Sequence, residues 1–264
     1  MPLDSGLKGQ RVLVTGASQG IGFGVAKAFL EEGARVIINS SNKDGLVKAR
    51  DQLSGIGEVY SVAADISDKS GIENLVSETM RILGGIDTLA YSTGSPAPGV
   101  FMEKNYEEWE GAAKLLTIGP AYLARKVAEV MIETKTRGRM VLSSSTAIRE
   151  PIPNIALSNV CRVAIYGLVR MLARELGPKG IRVNGIMPGR IKTGRIDSLA
   201  YNLAKNKGIS QEQAFKELQA DIPIGYIGST EEIAKSFVFL GSDLSPYVTG
   251  AMLPVDGGLL KSIG

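Results

Sequence analysis

An α/β protein built on a doubly wound parallel sheet of about seven strands, with helices on both faces, is what this sequence predicts. Three observations predict it. Short β-branched runs alternate with longer amphipathic stretches from one end to the other, the pattern of repeated βα units. A glycine-rich turn, Thr15-Gly16-Ala17-Ser18-Gln19-Gly20-Ile21-Gly22, joins the first strand run to the first helical run. The length, 264 residues, suits one large α/β domain better than two ordinary ones.

Strands are expected at Arg11–Thr15, Arg35–Asn39, Val59–Ala63, Thr88–Tyr91, Arg139–Ser143, Arg182–Ile186 and Met252–Val255. Helical patterns fall between them, at Ile21–Glu32, Lys43–Leu53, Lys69–Leu83, Tyr106–Glu133, Ala156–Leu176 and Glu231–Leu240. Glycines punctuate the joins, as at Gly33 and Gly138. One stretch breaks the rhythm. Residues 193–222 carry two further helical patterns, near Leu199–Lys205 and Gln211–Gln219, where a simple βα unit needs only a short loop. Insertions after a strand's C-terminal end are where doubly wound folds place substrate-covering elements. Residues 1–264 are therefore expected to form a single domain with a cover at about 193–222.

Composition excludes several classes of function. Histidine is absent, which removes Ser-His-Asp and Cys-His catalysis and histidine-ligated metal together. A single cysteine, Cys161, leaves no internal disulfide and no multi-cysteine metal site. The net charge of +3 is small for this length and implies no general attraction to nucleic acid or membrane. The polar start, Met1 to Gln10, lacks a basic segment followed by an apolar run, and no stretch approaches 18 uninterrupted apolar residues. A cytoplasmic protein is the expectation.

The glycine turn carries chemistry. Its glycines permit a tight turn and let the backbone approach a pyrophosphate, while the helix N-terminus supplies free N–H groups and a positive dipole end. That is the Rossmann-type arrangement. Together with residues further along, it resembles the short-chain dehydrogenase/reductase family over almost the whole chain. The Thr15–Gly22 turn matches the family's Thr-Gly-x-x-x-Gly-x-Gly. Asp65-Ile66 matches the segment near the adenine, and Ile181-Arg182-Val183-Asn184-Gly185-Ile186-Met187-Pro188-Gly189 matches the sixth strand with its Pro-Gly turn. Thr193 matches the threonine that contacts the nicotinamide carboxamide. Tyr247-Val248-Thr249-Gly250 and Val255-Asp256-Gly257-Gly258 match the C-terminal signature. The resemblance implies cofactor contacts from Gly16, Ser18, Gln19, Gly20, Ile21 and Gly22, from Ser40, Ser41 and Asn42, and from Asp65 and Ile66. It also implies them from Ser92, Thr93 and Gly94, from Arg162, and from Pro188, Gly189, Ile191 and Thr193.

The family's catalytic Asn-Ser-Tyr-Lys set is altered. In register with Gly138-Arg139-Met140-Val141, its serine is Ser145, and the tyrosine position thirteen residues on is Ser158. Counting back from Ala164-Ile165-Tyr166-Gly167-Leu168 gives the same register. The lysine position is Arg162, the asparagine position is Leu116, and the usual Asn-Asn-Ala-Gly reads Tyr91-Ser92-Thr93-Gly94. The wider Tyr-to-Lys spacing of the enoyl-reductase variant does not fit either, because this helix has no lysine at either spacing. Ser145, Ser158 and Arg162 are the candidate catalytic residues. Arg162 keeps a cation able to reach ribose hydroxyls. Ser158 cannot act as a phenol would, since tyrosine titrates near ~10 and a cation lowers it further. Loss of a positioned general acid removes roughly 10²–10⁴-fold of rate. Two readings stay open: an oxidoreductase in which Ser145, Ser158 and a water share proton donation, and a dinucleotide-binding sensor or partner subunit without catalysis.

After the second strand run, Asn39-Ser40-Ser41-Asn42-Lys43 offers donors and a lysine but no acid, which favours NADP over NAD, although Gln19 stands where NADP enzymes often carry a base. Arg149, Arg190, Lys192 and Arg195 follow strand ends and could form a cationic mouth for an acidic small-molecule substrate, with a 3-oxoacyl group as the first expectation. Tyr201, Tyr226 and Tyr247 are weak candidates for a replacement phenol, and Trp109 and Cys161 read as packing residues. The runs Tyr106–Glu133 and Ala156–Leu176 resemble the helices that the family pairs across subunits, through Ala112, Ala113, Leu115, Ala164, Leu168 and Met171. The segment 255–264 suggests a second interface, and a homotetramer or homodimer is expected.

Overall fold

A computed structural model describes residues 4–262; the first three and last two positions of the expected 1–264 domain, and with them the end of the 255–264 segment, lie outside the described residues. Seven strands form one wholly parallel sheet: β1 (Arg11–Val14), β2 (Arg35–Ser40), β3 (Val59–Ala63), β4 (Thr88–Tyr91), β5 (Arg139–Ser143), β6 (Arg182–Pro188) and β7 (Met252–Val255). Their order is β3-β2-β1-β4-β5-β6-β7. The order reverses between β1 and β4, which opens a crevice at their C-terminal ends.

Strand side chains alternate between two apolar layers, as a two-residue period requires. Leu13, Ile37, Leu89, Tyr91, Met140 and Leu142 join one core cluster, while Val12, Val14, Val36, Ile38, Ala90 and Val141 join the other. On the first face pack α3 (Lys69–Leu83), α5 (Gly119–Glu133) and α7 (Val163–Leu176); on the second pack α1 (Gly20–Glu31), α2 (Lys43–Leu53) and α10 (Thr230–Leu240). Helix starts are set locally. Asn42 and Asp68 accept from Gly45 N and Gly71 N, and Ser229 with Glu232 closes a reciprocal capping box.

Two expected helices are interrupted. The run Tyr106–Glu133 divides into α4 (Tyr106–Ala113), a π-helical segment (Lys114–Ile118) and α5. Pro120 gives the reason: it has no N–H for the carbonyl of Leu116, and its ring would crowd that carbonyl in a regular helix. Widening the preceding turn relieves both problems. The run Ala156–Leu176 breaks at Arg162 into α6 (Ala156–Cys161) and α7. The hydroxyls of Thr117 and Ser144 donate to the carbonyls of Cys161 (2.9 Å) and Arg162 (3.2 Å) at this break. The inserted segment forms α8 (Gly194–Lys207) and α9 (Gln211–Ala220).

By length and composition, the helical run Ala156–Lys179 is apolar enough to cross a membrane. Here it lines the core through Ile165, Val169 and Leu172 and carries the buried Arg162. Of the residues expected at a subunit contact, Ala112 is instead buried within its own chain beside Leu116, Leu157 and Cys161, with Trp109 packed against them. Trp109 also meets Phe101, ring centroids 5.8 Å apart.

At the opposite end of the sheet, Asp87 ties β1 to the start of β4. Its carboxylate accepts from Arg11 Nη2 (2.6 Å), Nε (2.9 Å) and backbone N (2.8 Å). Burial pushes the Asp87 carboxyl up, yet these donors outweigh it and hold it below its ordinary value. A depressed folded-state pKa contributes stability above the unfolded value and loses it as pH falls through the folded one. Asp87→Asn is therefore expected to cost about 2–3 kcal/mol at neutral pH. Denaturant melts of both proteins should converge as the pH drops below that of an ordinary aspartate; a constant gap down to pH 2 would contradict the assignment.

Candidate active site

The crevice between β1 and β4 is built around the glycine turn. Gly16 has φ +61°, and a Cβ there would lie 2.7 Å from Ser92 O. A Cβ on Gly22 would run into the Gly16 and Thr15 carbonyls, so α1 can approach the strand only without one. The start of α1 has no side-chain cap and no acid in its first turn, which leaves its N–H groups and positive end directed at the crevice. Thr15 fixes the other wall: its Oγ1 donates to Ser92 O (2.7 Å) and accepts from Ser92 N (3.0 Å). These features fit a dinucleotide pyrophosphate.

The other expected contacts lie at or just beyond the C-terminal ends of the strands, on the side of the glycine turn. Ser18 and Ser40 hydroxyls meet at 3.0 Å, joining the turn to the end of β2. Ser41 is exposed, and Asn42 caps α2 beside Lys43. Asp65 is exposed after β3 and accepts from Ser67 N and Oγ, while Ile66 is buried. Thr93 and Gly94 continue from Ser92. Pro188 ends β6, Gly189 follows against Asp256, and Ile191 bridges Gly228. Thr193 precedes α8 with its Cγ2 3.4 Å from where a Gly20 Cβ would stand, so the inserted helices begin against the glycine turn.

Ser145 starts a short 3₁₀ turn, its Oγ accepting from Ala147 N at 3.1 Å. Ser158, in α6, is 3 % exposed, and no hydrogen bond joins it to Ser145. Arg162 lies one turn beyond Ser158 and is 6 % exposed. Its Nη2 donates to Gly94 O (2.9 Å) and Ser95 Oγ (3.3 Å), and its Nη1 donates to Ser144 O (3.5 Å). The guanidinium thus clamps the loop after β4 to the end of β5. Burial pushes its pKa down to about 10. Leu116, at the asparagine position, is buried in the π-helical segment against α6.

Sequence reasoning passed over Tyr91. Its ring is 1 % exposed and its hydroxyl donates to Leu115 O at 3.2 Å. A phenol and a guanidinium do therefore neighbour each other here, but the phenol faces the core. Burial raises the Tyr91 pKa despite the nearby Arg162 charge, which suits a structural hydroxyl and not a proton donor. The signal was present: Tyr91 lies two residues beyond Leu89, on the face covered by α5 and α7. The weaker phenol candidates sit apart from Ser145 and Ser158 in their contacts. Tyr226 donates to Glu232, and Tyr201 and Tyr247 are exposed.

The expected four-residue cationic mouth is narrower than four. Arg190 donates to Leu218 O and pairs with Asp221 (3.3 Å), which spends its charge on holding α9. Lys192 is exposed and Arg149 is half-buried. Arg195 reaches Ser95 across the crevice.

A parallel sheet with the 3-2-1-4 switch and an open glycine turn defines a dinucleotide-binding fold. A family model described as enoyl-(acyl carrier protein) reductase matches residues 16–260, and the chain belongs to the short-chain dehydrogenase/reductase family. It is 34% identical to a glucose 1-dehydrogenase of Gluconobacter oxydans over 260 residues, covering 98% of this chain and 94% of that one. It is 33% identical to a 3-oxoacyl-[acyl-carrier-protein] reductase FabG of Chlamydia muridarum, covering 97% and 100%. L-sorbose reductase of Gluconobacter frateurii, solved with NADPH and L-sorbose, superposes with a TM-score of 0.94 at 30% identity, covering 99% and 100%.

Proposed function

We propose that the protein is a cytoplasmic NADP-dependent carbonyl reductase of a small acidic or 3-oxoacyl-like substrate, with NAD as the lesser cofactor. The observation that carries this reading is the intact cradle: Gly16 lets the turn close on Ser92, Gly22 lets α1 close on the turn, and α1 opens uncapped onto the crevice. Ser40, Ser41, Asn42 and Lys43 at the start of α2 offer donors and a cation for a 2′-phosphate, with no acid to repel it. Gly16, Ser18, Gln19, Gly20, Ile21 and Gly22 would hold the pyrophosphate end, Asp65 and Ile66 the adenine end, and Ser92–Gly94 with Pro188, Gly189, Ile191 and Thr193 the nicotinamide end. When bound, the dinucleotide supplies the hydride.

Ser145 orients the carbonyl oxygen in this reading. Ser158 and Ser145 hold a water in the space a phenol would fill; that water passes a proton to the carbonyl oxygen and takes one back from bulk solvent. In this reading Arg162, with Nε and one Nη1 hydrogen unspent on the protein contacts above, donates to the nicotinamide ribose. The helices α8 and α9 form the cover of a single-domain enzyme. Exposed Ile118, Val160, Val163 and Met171 support a homodimeric or homotetrameric contact through the π-helical segment, α6 and α7. A second reading, a non-catalytic dinucleotide sensor, is favoured because no phenol among the described residues bonds to Ser145 or Ser158. The test is a titration of NADPH and NADH, followed by cofactor oxidation with a panel of carbonyl compounds. Tighter NADPH binding and measurable turnover are expected; tight binding with no oxidation across the panel would leave the sensor reading standing.

A further inference from the structure

Two guanidinium groups from distant parts of the chain converge on one neutral hydroxyl. Arg162, at the α6–α7 junction, donates from Nη2 to Ser95 Oγ at 3.3 Å, and Arg195, in the first turn of α8, donates to the same oxygen from Nη1. Ser95 follows Gly94 at the C-terminal edge of β4, beside the switch point. Neither arginine has a carboxylate within 4 Å among the described residues, whereas Arg11, Arg35, Arg81, Arg139 and Arg190 each hold one. A serine oxygen offers lone pairs but no charge, so two cations stand together in a crevice without a counterion. The arrangement has a physical cost that an anion would remove. Burial lowers the Arg162 pKa and the charge of Arg195 adds to that; Tyr91 and Cys161 pull the other way, and no carboxylate does.

We infer that Ser95, Arg162 and Arg195 form the recognition site for an anionic group, carboxylate or phosphate, on the small-molecule substrate. Arg195 binds the oxyanion directly through its planar fork, and Ser95 Oγ turns to donate to it. Arg162 stays on Gly94 O and Ser144 O and supplies its charge from beneath. Because Arg195 belongs to the inserted helices and Ser95 to the sheet edge, the bound anion ties the cover to the crevice. This inference deepens the oxidoreductase reading and rests on it for the word substrate; the anion site itself does not depend on turnover.

Calorimetry on the full chain saturated with NADP⁺, which prevents turnover, tests it with acetoacetate and its uncharged counterpart pentane-2,4-dione. Acetoacetate is expected to bind about tenfold tighter or more, to weaken as salt is raised, and to be displaced by inorganic phosphate. Arg195→Gln, at an exposed position, should bring the two ligands within about twofold of each other. Equal affinities in the wild type, or an unchanged ratio in Arg195→Gln, would overturn the site. Phosphate that binds only the cofactor-free protein and is expelled by NADP⁺ would assign the cations to the cofactor's own phosphates, and that also overturns it. A chain that does not bind NADP⁺ at all defeats the oxidoreductase reading instead, and the same pair of ligands on the free protein then decides the anion site separately.

Discussion

The double change Ser158→Tyr with Arg162→Lys is expected to raise the rate of NADPH-dependent carbonyl reduction by roughly 10²–10⁴-fold. The two positions lie four residues apart on one helical face, at the end of β4 and β5 where the crevice opens. A phenol there would be the positioned acid that the chain otherwise lacks, since it contains no histidine and Tyr91 is turned into the core. Lysine matters beside it, because an ammonium lowers a neighbouring phenol's pKa while leaving room that the Arg162 fork now fills. The change has a structural cost. Gly94 O loses a 2.9 Å charged donor, so the melting temperature should fall even as the rate rises. Single-turnover kinetics at saturating NADPH give the measurement. No gain in rate, with NADPH affinity intact, would show that proton donation does not limit this protein, and the water shared by Ser145 and Ser158 would no longer be needed to explain it.

Gly22→Ala is expected to weaken dinucleotide binding about tenfold to a hundredfold and to destabilise the fold. The added methyl meets backbone on every side, the Gly16 carbonyl first and the Thr15 carbonyl next, and backbone cannot rotate away as a side chain can. Overpacking of this kind costs about 1–3 kcal/mol, and a displaced α1 also misdirects the N–H groups that face the crevice. Fluorescence titration of NADPH alongside a thermal melt separates the two effects. Affinity unchanged within twofold would mean that the glycine turn does not hold the pyrophosphate, and the cofactor reading would fall with it.

Much of the fold was legible because it rests on local periodicity. The strand at Arg11–Val14 and the helix at Lys69–Leu83 follow from alternation and from 3.6-residue spacing, each a property of neighbouring residues. Family resemblance located Ser158, Arg162 and Leu116 by spacing alone. The breaks in the long helices were less legible. Pro120 marked the first in the sequence, yet a π-helical turn keeps the chain helical and shifts the apolar register by only about one residue. At Arg162 the break depends on hydroxyls from Thr117 and Ser144, which come from other elements.

The order of residues already specifies the layered α/β architecture, the open glycine turn, the lack of histidine chemistry and the substitutions at the catalytic positions. Each of these depends on residue identity and short-range order. Where the charges go is settled by folding. Arg190, read as part of a cationic mouth, is bound to Asp221 and Leu218 O; Arg195 instead crosses the crevice to Ser95, where Arg162 also arrives. Long flexible cations take the partner that folding brings within reach. The partners here come from segments 28 to 100 residues away along the chain, a separation no local pattern encodes.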